Sequence, residues 1–255
     1  MLFPDFSRTY LDEFKDVEEP YFRPTSRYKT ATEVLEKQNI IILTGHPGEG
    51  KTTMACKLAL DKSQSRHCLI LKQPSDWRRV DWSLKIFDTI IIDDIFGSGS
   101  LDQLRLADWK PYLSEIETEA KNKRLKVIIT TRNYILEECS EDLDAKLTMF
   151  KTANEDGAVV LLTSKDLTVE ERGDILQSQA DRNDKDIPTR EIHDIAKAST
   201  DADIYSSQEN FAFGFPECAS MFVRSKNMYE LGTEFFRKPA SLFKKYLEDV
   251  YHGSN

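Results

Sequence analysis

Long apolar runs are absent from this sequence. No stretch approaches the roughly 18 consecutive apolar residues that a transmembrane helix requires. The first residues, MLFPDFSRTYLDEF, are too acidic and too poor in apolar side chains to form a secretory signal peptide. We therefore expect a cytoplasmic protein that has no membrane partner.

An excess of basic residues is also missing. The 35 Lys and Arg residues are outnumbered by 44 Asp and Glu residues, which leaves a net charge of -9. Because affinity for duplex DNA comes mainly from neutralising phosphates, this balance makes nucleic acid an unlikely partner. The densest basic stretch, KNKRLK at residues 121–126, is more simply a solvated helix end that precedes a strand.

Cysteine is scarce, and its spacing follows no recognisable pattern. No two of the four residues have the paired spacing of a zinc site or a disulfide framework. We expect buried thiols in a reducing compartment, at Cys56, Cys68, Cys139 and Cys218.

Short runs of branched apolar residues alternate with helical patterns over the first two thirds of the chain. Continuous apolar runs of this kind are typical of strands covered on both faces in a parallel sheet. The pattern predicts a doubly wound α/β fold with a five-stranded, mainly parallel sheet. The predicted strands are Ile40–Leu43, Cys68–Leu71, Thr89–Ile92, Val127–Thr130 and Ala158–Leu162.

Domain organisation follows from a change in pattern near residue 165. Residues 1–25 alternate aromatic, acidic and proline residues, which predicts an arm or short helix packed on a domain. Residues 26–164 would form the α/β core, and residues 165–255 a helical lid subdomain. Its first helix would begin after Asp166 or Thr168 as the N-cap, and further helices are predicted at 189–198, 215–225, 228–236 and 241–251.

The segment NIIILTGHPGEGKTTM contains the phosphate-loop pattern G-x-x-x-x-G-K-[ST] between a strand and a helix. Glycines allow the backbone to wrap closely around a phosphate chain with its N–H groups pointing inward. Lys51 would bridge the β- and γ-phosphates, Thr52 would bind Mg²⁺, and the His46 side chain would point outward. The loop residues are Gly45, His46, Pro47, Gly48, Glu49, Gly50, Lys51 and Thr52.

Two further strands end in polar residues. The stretch FDTIIIDDIFG resembles the Walker B element, in which Asp93 would hold Mg²⁺ through water and Asp94 would orient or deprotonate the attacking water. Many related hydrolases have glutamate where Asp94 stands, and its shorter side chain predicts slow or absent turnover. The stretch KVIITTRNYIL delivers Thr130, Thr131 and Arg132 to the strand end, where Arg132 could sense the terminal phosphate.

Together these elements resemble the STAND class of signal-transduction NTPases, and within it the novel STAND NTPase 3 domain. The resemblance implies a P-loop NTPase three-layer α/β/α sandwich with a five-stranded, mainly parallel sheet, followed by a C-terminal helical lid subdomain. The similarity also includes LTVEERGDILQSQ and GFPECASMF, and it extends over nearly all of the chain from about residue 22. It implies ATP or ADP with Mg²⁺ as cofactors, Gly45 to Thr53 as the nucleotide loop and Thr52 and Asp93 as the metal ligands. It further implies Asp94 as the catalytic acid, assisted by Lys51, and Arg132 as the γ-phosphate sensor.

The resemblance also assigns roles outside these motifs. Gly214-Phe215-Pro216 matches a G-x-P element in which Pro216 packs near the nucleotide, although a plain helix start explains the same residues. The segment 21–28 occupies the place of the adenine pocket, and its match is loose. Unlike typical STAND proteins, this chain has no effector or repeat region, so protein partners or self-association would use regions absent from it.

These observations favour an ATP-binding, slowly hydrolysing STAND-type switch, in which ATP and ADP reposition the helical lid. The class suggests signal transduction in innate immunity. The alternatives are a mechanical AAA-like ATPase, a small-molecule kinase and a catalytically inactive nucleotide-binding scaffold. No basic stripe supports a nucleic-acid translocase, and no cluster typical of a kinase acceptor site is evident.

Overall fold

The computed structural model describes residues 3–63, 67–123, 125–200, 213–239 and 241–242. The chain divides into two compact units. The first unit comprises Met1–Pro20, Ser26–Gly45 and Lys51–Leu162, and the second comprises Tyr21–Thr25, His46–Gly50 and Thr163–Asn255. The central five residues of the phosphate-loop motif therefore group with the second unit, although both of their chain neighbours group with the first.

A five-stranded parallel sheet forms the centre of the first unit, as the sequence predicts. Its strand order is β2-β3-β4-β1-β5, so the chain crosses over between non-neighbouring strands. The apolar runs become strands because helices cover both of their faces, which buries almost every residue. The strands are β1 Ile40–Gly45, β2 Cys68–Leu71, β3 Thr89–Ile92, β4 Lys126–Thr131 and β5 Val159–Leu162.

The helices of the first unit complete the α/β layers. They are α1 Phe3–Val17, α2 Ser26–Gln38, α3 Lys51–Lys62, α4 Pro74–Arg79, α5 Gln103–Lys121 and α6 Asn133–Glu138. On one face of the sheet, Trp109, Leu113 and Ile116 of α5 join a single apolar cluster with Ile42 and Ile129. Helices α2 and α3 also pack against the sheet.

The N-terminal segment is a regular helix, α1, where the sequence suggested an arm or a short helix. Leu11 of α1 is fully buried, and the Ser7 hydroxyl accepts a hydrogen bond from the Ile70 N–H of β2 over 2.9 Å. Because β2 is an edge strand, this bond satisfies a donor that no neighbouring strand can reach. In the described part of the chain, no helix combines the length and apolarity needed to cross a membrane.

The second unit is helical. Its helices are α7 Val169–Arg182, α8 Thr189–Ala198, α9 Phe215–Arg224, α10 Lys226–Glu230 and α11 Thr233–Arg237. Of the two candidate N-caps, Thr168 caps α7 in a capping box with Glu171. The helix predicted at 228–236 is divided into α10 and α11 because Gly232 adopts φ 55°, which ends the first helix. The helix predicted at 241–251 and most of the preceding loop lie outside the described residues.

Aromatic side chains form the core of the second unit. The rings of Phe222 and Phe236 lie 5.0 Å apart, and those of Phe235 and Phe236 meet edge to face at 5.2 Å. All three side chains are buried, together with Leu176 of α7 and Ile195 of α8. This cluster gives the second unit a hydrophobic core of its own, separate from the sheet.

The four cysteines are buried and have free thiols. Burial raises the pKa of the Cys56 thiol in α3 to about 12 and that of the Cys218 thiol in α9 to about 12. At neutral pH these groups remain protonated, and a protonated thiol is a poor nucleophile and metal ligand. The two residues therefore behave as small apolar side chains of their cores.

Candidate nucleotide-binding site

The site residues of the first unit lie where three neighbouring strands end. Because β3, β4 and β1 are parallel and adjacent, their carboxyl ends lie at one edge of the sheet. This edge is where ligands bind in open α/β folds. It brings together Gly45 at the end of β1, Asp93 and Asp94 after β3, and Arg132 after β4.

Asp93 is held by two threonine hydroxyls. Its Oδ1 atom accepts hydrogen bonds from Thr52 Oγ1 over 3.0 Å and from Thr130 Oγ1 over 2.6 Å. Thr52 lies in the first turn of α3, and Thr130 is on β4. A hydroxyl and a carboxylate are hard oxygen donors of the kind that Mg²⁺ prefers, so the residues present fit the metal. Within the described residues, no cluster of three or more His, Cys, Asp or Glu side chains offers a different metal site.

Asp94 has a backbone conformation that few residues adopt. Its φ of 48° is left-handed, a conformation that Asp and Asn adopt more readily than most residues. The turn is fixed by Thr130, whose hydroxyl accepts from the Asp94 N–H over 2.8 Å and whose carbonyl accepts from the Ile95 N–H over 3.1 Å. Thr130 therefore orients both aspartates.

Several neighbouring groups act on the pKa of the Asp94 carboxyl. Burial raises the pKa of the Asp94 carboxyl, the nearby charge of Asp93 raises it further, and Lys51, Arg132 and Arg105 oppose the shift. A carboxyl whose pKa is raised is better suited to proton transfer than an ordinary surface aspartate. These three cations and the Asp93 carboxylate all lie close enough to Asp94 to act on its pKa.

Arg105 is a residue of this edge that sequence patterns did not reveal. It lies in α5, and its Nε atom donates to the Ile95 carbonyl over 3.0 Å. Its Nη2 atom donates to the carbonyls of Lys72 over 2.8 Å and Asp93 over 3.3 Å. One guanidinium thus ties the segments that follow β2 and β3. In sequence it has the appearance of a solvent-facing residue in the first turn of an amphipathic helix.

Lys51 and Arg132 are the two cations that the sequence motifs single out. The Lys51 side chain is buried, and its Nζ atom donates to the Gly45 carbonyl over 3.1 Å. Arg132 is half-buried, and its Nη1 atom donates to the Tyr134 hydroxyl over 2.8 Å. Lys51 is thereby held at the end of β1, whereas Arg132, which directly follows β4, is held against the first turn of α6.

The central part of the phosphate loop is bound within the second unit through its carbonyl groups. The Pro47 carbonyl accepts from the Gly214 N–H over 2.9 Å, and the Gly48 carbonyl accepts from the Glu217 N–H over 3.2 Å. Gly48 and Gly50 adopt left-handed φ values of 77° and 82°. Since phosphate binding by such a loop uses its N–H groups, bonds made through the carbonyls are compatible with a bound anion.

Glu49 is a buried carboxylate inside this loop. It is 8% exposed and accepts hydrogen bonds from the Ser164 N–H over 3.0 Å and the Ser164 hydroxyl over 2.5 Å. The same hydroxyl accepts from the Phe215 N–H over 2.6 Å. Ser164 therefore joins the loop to the start of α9, and a side chain predicted only as part of a loop pattern is a structural anchor.

Arg172 supports Ser164 from within the second unit. Its guanidinium, which is 2% exposed, donates to the Ser164 carbonyl over 2.6 Å and the Ser199 carbonyl over 2.6 Å. It also lies over the Phe215 ring at 5.4 Å. Such a buried cation is tolerated because carbonyl acceptors satisfy its donors. Ser164 lies outside the motifs named above, and Arg172 lies within LTVEERGDILQSQ, a stretch to which the resemblance assigned no site role.

Comparison with known families agrees with this geometry. The model of the novel STAND NTPase 3 family matches residues 22–182, which is more than half of the chain. This chain belongs to the novel STAND NTPase 3 family. It is accordingly a nucleotide-binding P-loop protein of the NTPase type. No curated protein sequence is significantly similar to the chain.

Several solved structures are similar to this STAND NTPase in fold at low sequence identity. Domain III of the Thermotoga maritima replication initiation protein DnaA is 15% identical, with 71% of this chain and 80% of that chain covered and a TM-score of 0.46. The FIGL-1 AAA domain in complex with ADP is 18% identical, with 90% and 75% covered and a TM-score of 0.45. A single-residue variant of Thermotoga maritima RuvB is 17% identical, with 89% and 69% covered and a TM-score of 0.41.

The G-x-P element of this STAND NTPase has two features. Gly214 is the N-cap of α9 and Pro216 lies in its first turn, as a plain helix start requires. A Cβ atom at Gly214 would also lie 2.6 Å from the Glu49 nitrogen and 2.6 Å from the Gly48 carbonyl carbon. The glycine is therefore needed for close approach to the loop, whereas the sequence drew attention to the proline. The role of Pro216 beside a nucleotide stays a prediction.

Proposed function

We propose that this protein is an ATP-binding, slowly hydrolysing STAND-type NTPase that acts as a nucleotide-dependent signalling switch. ATP and ADP, each with Mg²⁺, would favour different positions of the helical second unit, and a protein partner would read the difference. Such a switch requires only that the two nucleotides differ in affinity for the two states by a few kcal/mol.

Each residue of the proposed site has its own role. The Lys51 ammonium binds the β- and γ-phosphates, and Arg132 donates to the terminal phosphate, which ADP lacks. Thr52 and Asp93 hold Mg²⁺, which neutralises phosphate charge when bound. Asp94 orients the attacking water. The proposed loop, from Gly45 to Thr53, supplies backbone N–H groups, and His46 exposes its side chain to solvent.

The bonds of the loop within the second unit are the observation that carries this proposal. Residues 46–50 are hydrogen-bonded through two carbonyls and the Glu49 carboxylate to Ser164, Gly214 and Glu217. A phosphate chain that changes the shape of the loop acts on these bonds directly. The nucleotide state is thus communicated to the helices without any further element.

The binding part of the proposal is tested by Lys51→Ala. We expect its affinity for MgATP to fall by about 100-fold, the loss of one strong charge-assisted contact of about 2.7 kcal/mol. Lys57→Ala is the matched control, because Lys57 lies on the same helix and pairs instead with Glu19 and Asp61. Isothermal titration calorimetry measures both. Equal ATP affinity in wild type and Lys51→Ala would contradict the proposed site.

The switching and hydrolysis parts need separate measurements. Hydrogen exchange of residues 163–200 and 213–239 should differ between the complexes with ADP and with a non-hydrolysable ATP analogue. Phosphate release by wild type should be slow and should disappear in Lys51→Ala. Binding without an exchange difference would contradict the switch, and binding without phosphate release would favour an inactive nucleotide-binding scaffold.

A further inference from the structure

Tyr134 connects the proposed phosphate sensor to a turn on the surface of the first unit. Its hydroxyl accepts a hydrogen bond from Arg132 Nη1 over 2.8 Å and donates one to the Gly99 carbonyl over 2.8 Å. Tyr134 is the second residue of α6, and its half-buried ring packs against the apolar cluster of the first unit. The ring therefore fixes the position of the hydroxyl between the two partners.

The turn that contains Gly99 follows directly from the two aspartates. The Gly97 N–H donates to the Asp94 carbonyl over 3.0 Å, and the Asp102 N–H donates to the Phe96 carbonyl over 2.9 Å. Gly97 adopts φ 124°, and a Cβ atom there would lie 2.4 Å from the Ser100 carbonyl oxygen. The turn is thus compact and fixed at both ends, while residues 98–100 are exposed.

We propose that Tyr134 is a positioning residue, which holds Arg132 in the orientation that discriminates between ATP and ADP. Through its second hydrogen bond, Tyr134 also makes the order of the turn at residues 97–102 depend on which nucleotide is bound. The inference rests on the proposed role of Arg132 as the terminal-phosphate sensor. By accepting from one guanidinium nitrogen, the tyrosine oxygen orients the remaining donors of Arg132 before the nucleotide arrives. A donor that is already oriented loses less conformational entropy when it binds a phosphate.

The turn depends on the bound nucleotide because the same hydroxyl makes both hydrogen bonds. A hydroxyl that accepts from a cation becomes a stronger donor, because hydrogen bonds in a chain polarise one another. When a terminal phosphate attracts the Arg132 charge, the Tyr134 hydroxyl is less polarised and its bond to Gly99 weakens. The exposed residues 98–100 then become less ordered in the ATP state than in the ADP state.

Tyr134→Phe tests the positioning role because it removes the hydroxyl and retains the ring. We expect ATP affinity to fall by about 10-fold, the effect of one hydrogen bond to a charged group, while ADP affinity changes by less than about 2-fold. Tyr112→Phe is the matched control. The Tyr112 hydroxyl is also hydrogen-bonded to an arginine of the first unit, Arg78, but neither residue belongs to the sheet edge described above. Its ATP-to-ADP affinity ratio should equal that of wild type.

A double-mutant cycle with Arg132→Ala separates positioning from a general effect on structure. If Tyr134 acts through Arg132, Tyr134→Phe changes the ATP-to-ADP affinity ratio in wild type and leaves it unchanged in the Arg132→Ala background. Equal effects of Tyr134→Phe in both backgrounds would overturn the inference. If wild type itself binds ATP and ADP equally, the proposed sensor role of Arg132 fails, which is a distinguishable result.

Hydrogen exchange of the wild-type protein tests, without any variant, whether the order of the turn depends on the bound nucleotide. The amides of residues 98–101 should exchange faster with a non-hydrolysable ATP analogue than with ADP. Equal exchange in the two complexes, in a protein whose affinities for the two nucleotides differ, would overturn the inference and leave the proposed function intact.

Discussion

The two units hold their parts of the nucleotide motif in different ways. In the first unit, side chains at the ends of adjacent strands bond to one another, and Thr130 of β4 binds Asp93 after β3. In the second unit, the loop is bound mainly by groups far along the chain, since 115 residues separate Glu49 from Ser164. One arrangement depends on sheet register, and the other depends on contacts within a helical core.

This difference predicts which substitutions damage which part of the molecule. A change in the second unit should alter the loop while the sheet remains folded, and a change at the sheet edge should alter the aspartates while the helical core remains folded.

Gly214→Ala should have the largest effect, because the new methyl group would meet backbone atoms of the loop that cannot move aside. We expect a loss of about 3 kcal/mol in the free energy of unfolding of the second unit, as in a severe overpacking substitution. ATP affinity should fall as well. Urea unfolding monitored by circular dichroism measures the first effect, and calorimetry the second.

Gly173→Ala is the matched control in the same unit. Gly173 lies within α7, where an added Cβ would meet only Ile192 Cγ2 at an ordinary 3.7 Å. Alanine has the higher helix propensity, so this variant should be more stable by about 0.5–1 kcal/mol. If Gly214→Ala is as stable as Gly173→Ala, the inference that the loop leaves no room for a Cβ atom at residue 214 is wrong.

Ser164→Ala should have an intermediate effect. It leaves the Phe215 N–H without an acceptor and takes a donor from the buried Glu49 carboxylate, at a cost of about 2–3 kcal/mol. A double-mutant cycle of Ser164→Ala with Glu49→Gln should show a coupling of about 1 kcal/mol or more in the free energy of unfolding. Additive effects of the two substitutions would show that Glu49 and Ser164 do not act together.

The smallest expected effect distinguishes two neighbouring threonines of β4. Thr130→Val removes the hydroxyl that binds Asp93 and the Asp94 N–H, so we expect a loss of about 1–2 kcal/mol in stability and weaker Mg²⁺-dependent ATP binding. The Thr131 hydroxyl is buried and has no hydrogen-bond partner among the described residues. Thr131→Val should therefore be neutral or slightly stabilising. A greater loss in Thr131→Val than in Thr130→Val would contradict this assignment.

The first unit was largely predictable from sequence, and the physical reason is local. Apolar runs define the strands, and parallel strands deliver Asp93 and Arg132 to one edge regardless of how the intervening helices pack. The five-stranded parallel sheet and the family are confirmed. The roles given to the individual site residues stay predictions.

The residues that hold the loop within the second unit were not predictable in the same way. Ser164 and Arg172 have no periodicity or spacing that distinguishes them from surface residues, and their importance appears only when the fold buries them against Glu49 and Phe215. Arg105 was missed for the same reason. Hydrogen bonds between residues that are distant in sequence leave no local pattern, so only tertiary structure reveals them.

The left-handed backbone at Asp94 limits how the chemistry of this position can be altered. On the proposed role of Asp94, a longer acid would bring a carboxylate nearer to the attacking water, yet glutamate adopts φ 48° less readily than Asp, Asn or Gly. We therefore expect that lengthening this side chain alone would not raise the proposed turnover, because the turn that follows β3 would have to change with it. The backbone conformation of this one residue thus favours short side chains at the position proposed to orient water.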